Sequence, residues 1–184
     1  MGRGLRGEEP GGFYHLVTRG NNKQPIYFGE WSGRLFLRLL ERTAVRHGWT
    51  VLAYVLMTNH YHLVLRVSER GFSAGMCELN GVFAKATNAE LGRSNHLFGR
   101  RFWSELIDTD AYLFEVCRYV VLNPERAGAI RDARRWRWSS FAATMGDVHA
   151  PAFLATGELL RLFSNDPQTA REQFAAYVEK GRGV

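Results

Sequence analysis

The sequence predicts an α+β fold in which an antiparallel β-sheet carries helices on one face. Four short segments alternate apolar and polar residues, as half-buried strands do. Three longer segments instead repeat apolar residues every three or four positions, which is typical of helices. Their order is β-α-β-β-α-β-α, that of a ferredoxin-like (RRM-like) sheet followed by one further helix. We expect the second face of this sheet to be free for a ligand.

The first half of the chain supplies three strands and one helix. Phe13–Arg19 is predicted as a strand that ends in the turn-like Gly20–Asn22. Glu30–His47 has the apolar spacing of an amphipathic helix. Trp49–Leu56 is predicted as the second strand. Met57–Arg66 supplies the third, entered through a tight turn or bulge at residues 58–59.

The second half supplies two helices and the last strand. Phe72–Leu91 is predicted as a helix by its apolar face, and Phe102–Thr109 as a strand by its alternation. The helix Ala111–Leu122 follows, with Asn123–Pro124 expected to end it because proline cannot continue the hydrogen-bond pattern. We expect one domain over residues 1–145 and a short helical tail over residues 146–184.

Composition indicates a globular protein with a polyanionic partner. The 184 residues are 46% hydrophobic and carry a net charge of +6. Arginine supplies 21 of the 24 basic residues, which suits phosphate and base contacts, although a GC-rich genome explains the bias equally well. No apolar run is long enough to span a membrane. Two cysteines in helical patterns, Cys77 and Cys117, predict reduced thiols and a cytoplasmic, nucleoid-associated protein.

Two histidines on the third strand are the first candidate site residues. His60 and His62 are two positions apart, so both side chains project from one face of the strand. Two imidazoles on a rigid strand provide half of a divalent-metal site. Two half-exposed polar residues are the simpler interpretation, since a His-x-His pair also arises by chance.

The last predicted helix offers residues that could complete such a metal site. Tyr119 and Asn123 are four residues apart and therefore share a helix face. The Asn123 amide oxygen would be a third ligand for Mg²⁺ or Mn²⁺, and Tyr119 would reach a phosphate held there. A helix-end cap and a buried aromatic residue are the alternatives for the same two residues. Tyr112 shares the face and is a competing nucleophile.

Several motifs together resemble a known family. His60–His62 resembles the HUH motif (His, hydrophobic, His) of single-tyrosine transposases, and Arg118–Gly128 is similar to the tyrosine signature of the REP-associated tyrosine transposases. Further segments fit that pattern in the same order: Arg19–Asn21, Leu79–Gly81, Leu97–Arg100, Ala111–Leu113 and Trp136–Ser140. The resemblance runs from about Gly12 to Ala142 and leaves the tail uncovered.

The resemblance implies an HUH-superfamily transposase of insertion-sequence type within residues 1–145. Such an enzyme cleaves and rejoins single-stranded hairpin DNA of palindromic repeats through a 5′-phosphotyrosine. Tyr119, on a catalytic helix after the last strand, would be the nucleophile, with Mg²⁺ or Mn²⁺ on His60, His62 and Asn123. The DNA contacts we expect are Arg19, Asn21, Asn22, Lys85, Arg100, Arg101, Arg134 and Arg135.

Two other functions stay open at this point. A non-catalytic protein that binds or regulates DNA hairpins could have the same fold. An RNA-binding module could as well, but it would need exposed aromatic residues on the central strands, where this chain has histidines. The sequence does not decide between a monomer and a homodimer.

Overall fold

The computed structural model describes residues 8–68, 71–99 and 101–182, and within them four strands form one antiparallel sheet. The strands are β1 (Phe13–Arg19), β2 (Thr50–Leu56), β3 (His60–Arg66) and β4 (Trp103–Ile107), in the order β2-β3-β1-β4. β2 and β3 are joined by a tight turn in which the backbone N–H of Met57 donates to the carbonyl of His60 at 2.8 Å. The predicted α+β class and the element order are confirmed.

Two long helices cover one face of this sheet. α1 (Glu30–His47) and α2 (Ser73–Glu90) pack on the face to which Tyr61 of β3 points. The ring of Phe36 on α1 lies 4.7 Å from that of Tyr61 and 5.6 Å from that of Phe83 on α2. Interlocked aromatic rings of this kind fix the position of the helices relative to the strand beneath them.

The other face is not free, and in this respect the sequence prediction is wrong. The helix α3 (Asp110–Arg126) lies across β2 and β3. Its Val120 forms a second core with Val55 of β2 and Val64 of β3. Its apolar stripe, read from Leu113 through Val120, needs a partner layer, and the sheet provides it. Only the part of this face beside β1 and β4 is left open, as a cavity under α3.

The end of α3 also differs from the prediction. Asn123–Pro124 does not end the helix, which continues to Arg126. Pro124 has no N–H to donate to the carbonyl one turn earlier, but the helix continues past it, and the N–H of Ala127 donates to the carbonyl of Asn123 at 2.9 Å. The helix begins at Asp110, one residue before the predicted start, and the Thr109 side chain caps it by accepting a hydrogen bond from the N–H of Tyr112.

The tail folds back against α3. After α4 (Phe141–Met145) come α5 (Thr156–Arg161) and α6 (Pro167–Glu179), so residues 146–184 contain the helical structure expected there. Phe174 of α6 is fully buried and belongs to the core beneath α3. Across the described part of the chain, no helix combines the length and apolar character that a membrane span needs.

Close packing of α1 against Trp138 gives a stability prediction. A methyl group at Gly33 would lie 2.6 Å from the Trp138 ring, so Gly33→Ala should lower the free energy of unfolding by about 1–3 kcal/mol. The control is Gly81→Ala on α2, where a methyl group meets nothing within 4 Å and helix propensity should add about 0.5–1 kcal/mol. Urea unfolding measures both. Stabilisation by both substitutions would show that Trp138 does not pack tightly on α1.

Candidate active site

The pairing of β1 with β3 places the two motif histidines. His60 lies opposite Arg19 and His62 lies opposite Val17, and all four side chains are on the α3 face of the sheet. The intervening Tyr61 points the other way and is fully buried. The predicted shared face of His60 and His62 is therefore present, and it is the face that α3 covers.

Asn123 joins the two histidines from above. Its Oδ1 lies 3.2 Å from Nε2 of His60, and its Nδ2 lies 3.5 Å from Nε2 of His62. Only 7% of the Asn123 surface is exposed. The side chain is thus turned into the protein toward the imidazoles, and it does not cap the helix end.

The hydrogen bonding of His60 leaves a lone pair directed at Asn123. Oδ1 of Asn59 lies 2.7 Å from Nδ1 of His60, and its orientation is fixed because Nδ2 of Asn59 donates to the carbonyl of Lys23. A neutral imidazole has one N–H, so Nδ1 uses it on Asn59 and Nε2 meets the Asn123 oxygen acceptor to acceptor. Burial lowers the pKa of His60, the Asn123 oxygen as a partner for the protonated ring offsets part of this, and the nearby Arg19 lowers it further, so the pKa is below its ordinary value. A nitrogen lone pair of His60 and an oxygen lone pair of Asn123 that converge in this way are suited to a cation.

A third histidine, which the sequence analysis did not single out, supports the pair. His15 of β1 is buried, and its Nε2 lies 2.9 Å from Nδ1 of His62, with the two rings stacked at 5.1 Å. Burial lowers the pKa of His15 to about 4 and that of His62 well below its ordinary value. Alternation alone places His15 on the same face as Arg19, but its contact with His62 follows only from the strand register.

Tyr119 stands next to this cluster and reaches solvent. Its ring centroid lies 5.5 Å from that of His62, and 38% of its surface is exposed. The guanidinium of Arg126, seven residues and two turns further along α3, lies 5.6 Å from the ring centroid. The phenol is therefore accessible to a large substrate and has a cation beside it.

The competing Tyr112 is engaged elsewhere. Its hydroxyl donates to Oε2 of Glu105 on β4 at 2.6 Å. This hydrogen bond to a carboxylate, together with burial, raises the pKa of Tyr112 to about 12. The phenolate of Tyr112 is disfavoured, so the structure separates the roles of the two tyrosines on this helix face.

The residues expected to contact DNA fall into separate groups. Arg19, Asn21 and Asn22 lie at the end of β1 beside His60, where the N–H of Gly20 donates to the carbonyl of Asn59. The remaining described members of the set lie elsewhere: Lys85 and Arg101 line a groove along α2, and Arg134 and Arg135 lie in a 3-10 turn. Arg134 is paired with Asp147, and Arg100 lies outside the described residues.

Within residues 8–68, 71–99 and 101–182, no group of three or more His, Cys, Asp or Glu residues has the arrangement of a metal site. Any cation at this cluster would therefore need the amide of Asn123 as well as the two histidines. That donor set, two imidazole nitrogens and one amide oxygen, would leave coordination positions on such a cation open for further ligands.

Known proteins share this fold and sequence pattern. A Haemophilus influenzae protein whose name assigns it to the REP-associated tyrosine transposases is 22% identical over 142 residues, covering 71% of this chain and 80% of that protein. A solved structure of a REP-associated tyrosine transposase bound to a REP hairpin has the same fold, with a TM-score of 0.69 at 17% identity. The structural match covers 84% of this chain and 92% of the chain in that structure.

A family model described as "Transposase IS200 like" matches residues 11–123, well over half of the chain. The matched segment includes the whole sheet, both histidines of the motif, Tyr119 and Asn123. The chain belongs to the IS200-like transposase family.

Proposed function

We propose that this transposase cleaves and rejoins single-stranded hairpin DNA through a covalent bond between Tyr119 and a 5′-phosphate. The observation that carries the proposal is the position of Tyr119, half-exposed and 5.5 Å from the His62 ring within the cluster of His60, His62 and Asn123. An accessible phenol beside a cation-accepting cluster is what an attack on a phosphodiester requires.

The reaction conserves the energy of the phosphodiester. The phenol oxygen of Tyr119 forms a bond to phosphorus, the bond from phosphorus to the 3′-oxygen breaks, and the proton of the phenol passes to the released 3′-hydroxyl. Attack by a 3′-hydroxyl on the phosphotyrosine reverses these changes and joins strands without ATP. The guanidinium of Arg126 lies 5.6 Å from the centroid of the Tyr119 ring, so a positive charge stands beside the attacking phenol.

Three residues would hold a divalent cation, Mg²⁺ or Mn²⁺: His60 and His62 through Nε2, and Asn123 through Oδ1. When bound, the cation would supply Lewis-acid neutralisation of the charge on the scissile phosphate. The buried, neutral imidazoles keep their lone pairs available for this role. His15 supports it by accepting the Nδ1 proton of His62, which leaves Nε2 unprotonated.

The hairpin as substrate is supported by the proteins this chain is similar to. The solved structure with the same fold is that of a REP-associated tyrosine transposase bound to a REP hairpin. The net charge of +6 and the position of Arg19 beside His60 give this chain a positive surface where a phosphate would enter. Lys85, Arg100, Arg101, Arg134 and Arg135 are proposed as further contacts to the DNA backbone, with Asn21 and Asn22 near the cleavage point.

The nucleophile can be identified by two matched substitutions. Tyr119→Phe removes one oxygen and keeps the ring, so the protein should fold and its SDS-resistant adduct with DNA should disappear. Tyr112→Phe should retain the adduct. The substrate is a set of labelled hairpins from palindromes flanking the gene, in Mn²⁺. An adduct formed by the Tyr119→Phe protein would assign the reaction to another residue.

The cation site can be measured without the reaction. Titration of Mn²⁺ followed by electron paramagnetic resonance should show one site that is lost in His60→Ala. His15→Phe should weaken it about tenfold, and His15→Gln should recover part of the loss because its amide oxygen can accept the His62 proton. EDTA should leave the melting temperature unchanged, since the sheet and α3 are formed by apolar packing. A large fall in that temperature would indicate a structural metal instead.

DNA binding should be separable from cleavage. His60→Ala should bind the same hairpins within a few fold of the native affinity, because backbone contacts come from arginines, while the adduct is lost. Gel shift and adduct assays on one batch of protein compare the two. Equal loss of binding and cleavage would mean that the cluster of His60, His62 and Asn123 contributes to DNA affinity as well as to cleavage.

A further inference from the structure

A solvent-filled cavity opens between β4 and α3, next to Tyr119. It has a volume of about 460 Å³, within the range of small-ligand sites, and Trp103 and Glu105 line its β4 side. Arg118, Tyr119 and Arg126 of α3 line the other side. The proposed reaction gives no role to the β4 side of this cavity, where Trp103 and Glu105 lie.

The most unusual residue in the cavity is Trp103. It lies on the edge strand β4, opposite Val17 of β1, and 48% of its surface is exposed. Its indole meets the ring of His15 edge-on at 5.4 Å between centroids, so the position of the ring is supported from below. A large flat side chain that is held in place and half exposed is a platform on which a base can stack.

The chemistry around Trp103 is that of a nucleotide. The guanidinium groups of Arg118 and Arg126 on the α3 side suit the phosphates of a strand that reaches Tyr119. Glu105 on the strand side repels phosphate but accepts hydrogen bonds from base amino groups. Its bond with Tyr112 occupies one carboxylate oxygen, Oε2.

We propose that this cavity binds one unpaired nucleobase next to the scissile phosphate, stacked on Trp103, and that Glu105 selects a base with an exocyclic amino group. Cytosine, adenine and guanine carry such a group, whereas thymine has a carbonyl oxygen at the position of the cytosine amino group. The inference rests on the proposed function, because Tyr119 defines which phosphate is the scissile one. It adds a base preference that comes from the protein.

The test measures the affinity of fluorescein-labelled single-stranded octamers of dC, dA and dT by anisotropy. The native protein should bind the dC and dA octamers about fivefold more tightly than the dT octamer. Trp103→Ala should weaken all three about tenfold, whereas Trp103→Phe should retain most of the affinity. Glu105→Gln should equalise dC and dT, since a carboxamide can also donate to thymine.

The matched control is Leu106→Ala. Leu106 is the third residue along from Trp103 on the same strand, is 37% exposed, and points to the opposite face of the sheet. This variant should bind all octamers as the native protein does, and melting temperatures establish that every variant is folded. Native affinity in Trp103→Ala would overturn the stacking platform. A native protein without base preference, or a preference unchanged in Glu105→Gln, would overturn the selection by Glu105.

Failure of this inference and failure of the proposed function give different results. Native protein that forms the tyrosyl adduct while Trp103→Ala binds normally overturns the nucleobase pocket alone. Native protein that forms no adduct on any flanking hairpin overturns the proposed function and with it the pocket.

Discussion

The register between β1 and β3 is the constraint on which the site depends. A slip of one residue would turn His60 and His62 to the face of α1 and α2 and bring Tyr61 to the face of α3. The register is fixed from the opposite side, where Tyr61 packs against Phe36 and its hydroxyl donates to Oδ1 of Asn80 at 2.7 Å. The helix face of the sheet thus determines the geometry of the site on the other face.

The second constraint is the placement of α3, and part of it comes from beyond the family match. The turn after α6 lies against the end of α3, where the carbonyl of Gly181 accepts a hydrogen bond from Arg126. Arg182 forms ion pairs with Glu125 and Asp132, which fasten this turn to α3 and to the segment that follows it. The arginine beside Tyr119 is therefore held by the tail, which makes residues 146–182 relevant to the site as well as to the core.

Sequence reasoning recovered the elements, and the faces on which their residues lie, because both depend on local pattern. The alternation of apolar and polar residues located β1 at the residues observed, and the helical repeat of apolar residues did the same for α1. The spacing of Tyr119 and Asn123 placed both on one face of α3. What local pattern could not show is how elements meet. His15 required the register of two strands, and the coverage of the second sheet face required the docking of α3. The predicted end of α3 is wrong because the prediction considered Pro124 alone and left out the packing of the helix against the sheet, which favours its continuation to Arg126.

The proposed donor set has an electrostatic consequence. His60, His62 and Asn123 are all neutral, since burial lowers the pKa of both histidines, and none of them is a carboxylate. A cation held by neutral donors keeps its full charge for the phosphate, whereas carboxylate ligands would offset part of that charge. Under the proposal, affinity for the cation alone would be modest, and a DNA phosphate would add the missing negative ligand. Arg19 acts in the same direction, because its positive charge disfavours protonation of both histidines and attracts the phosphate that the cluster needs.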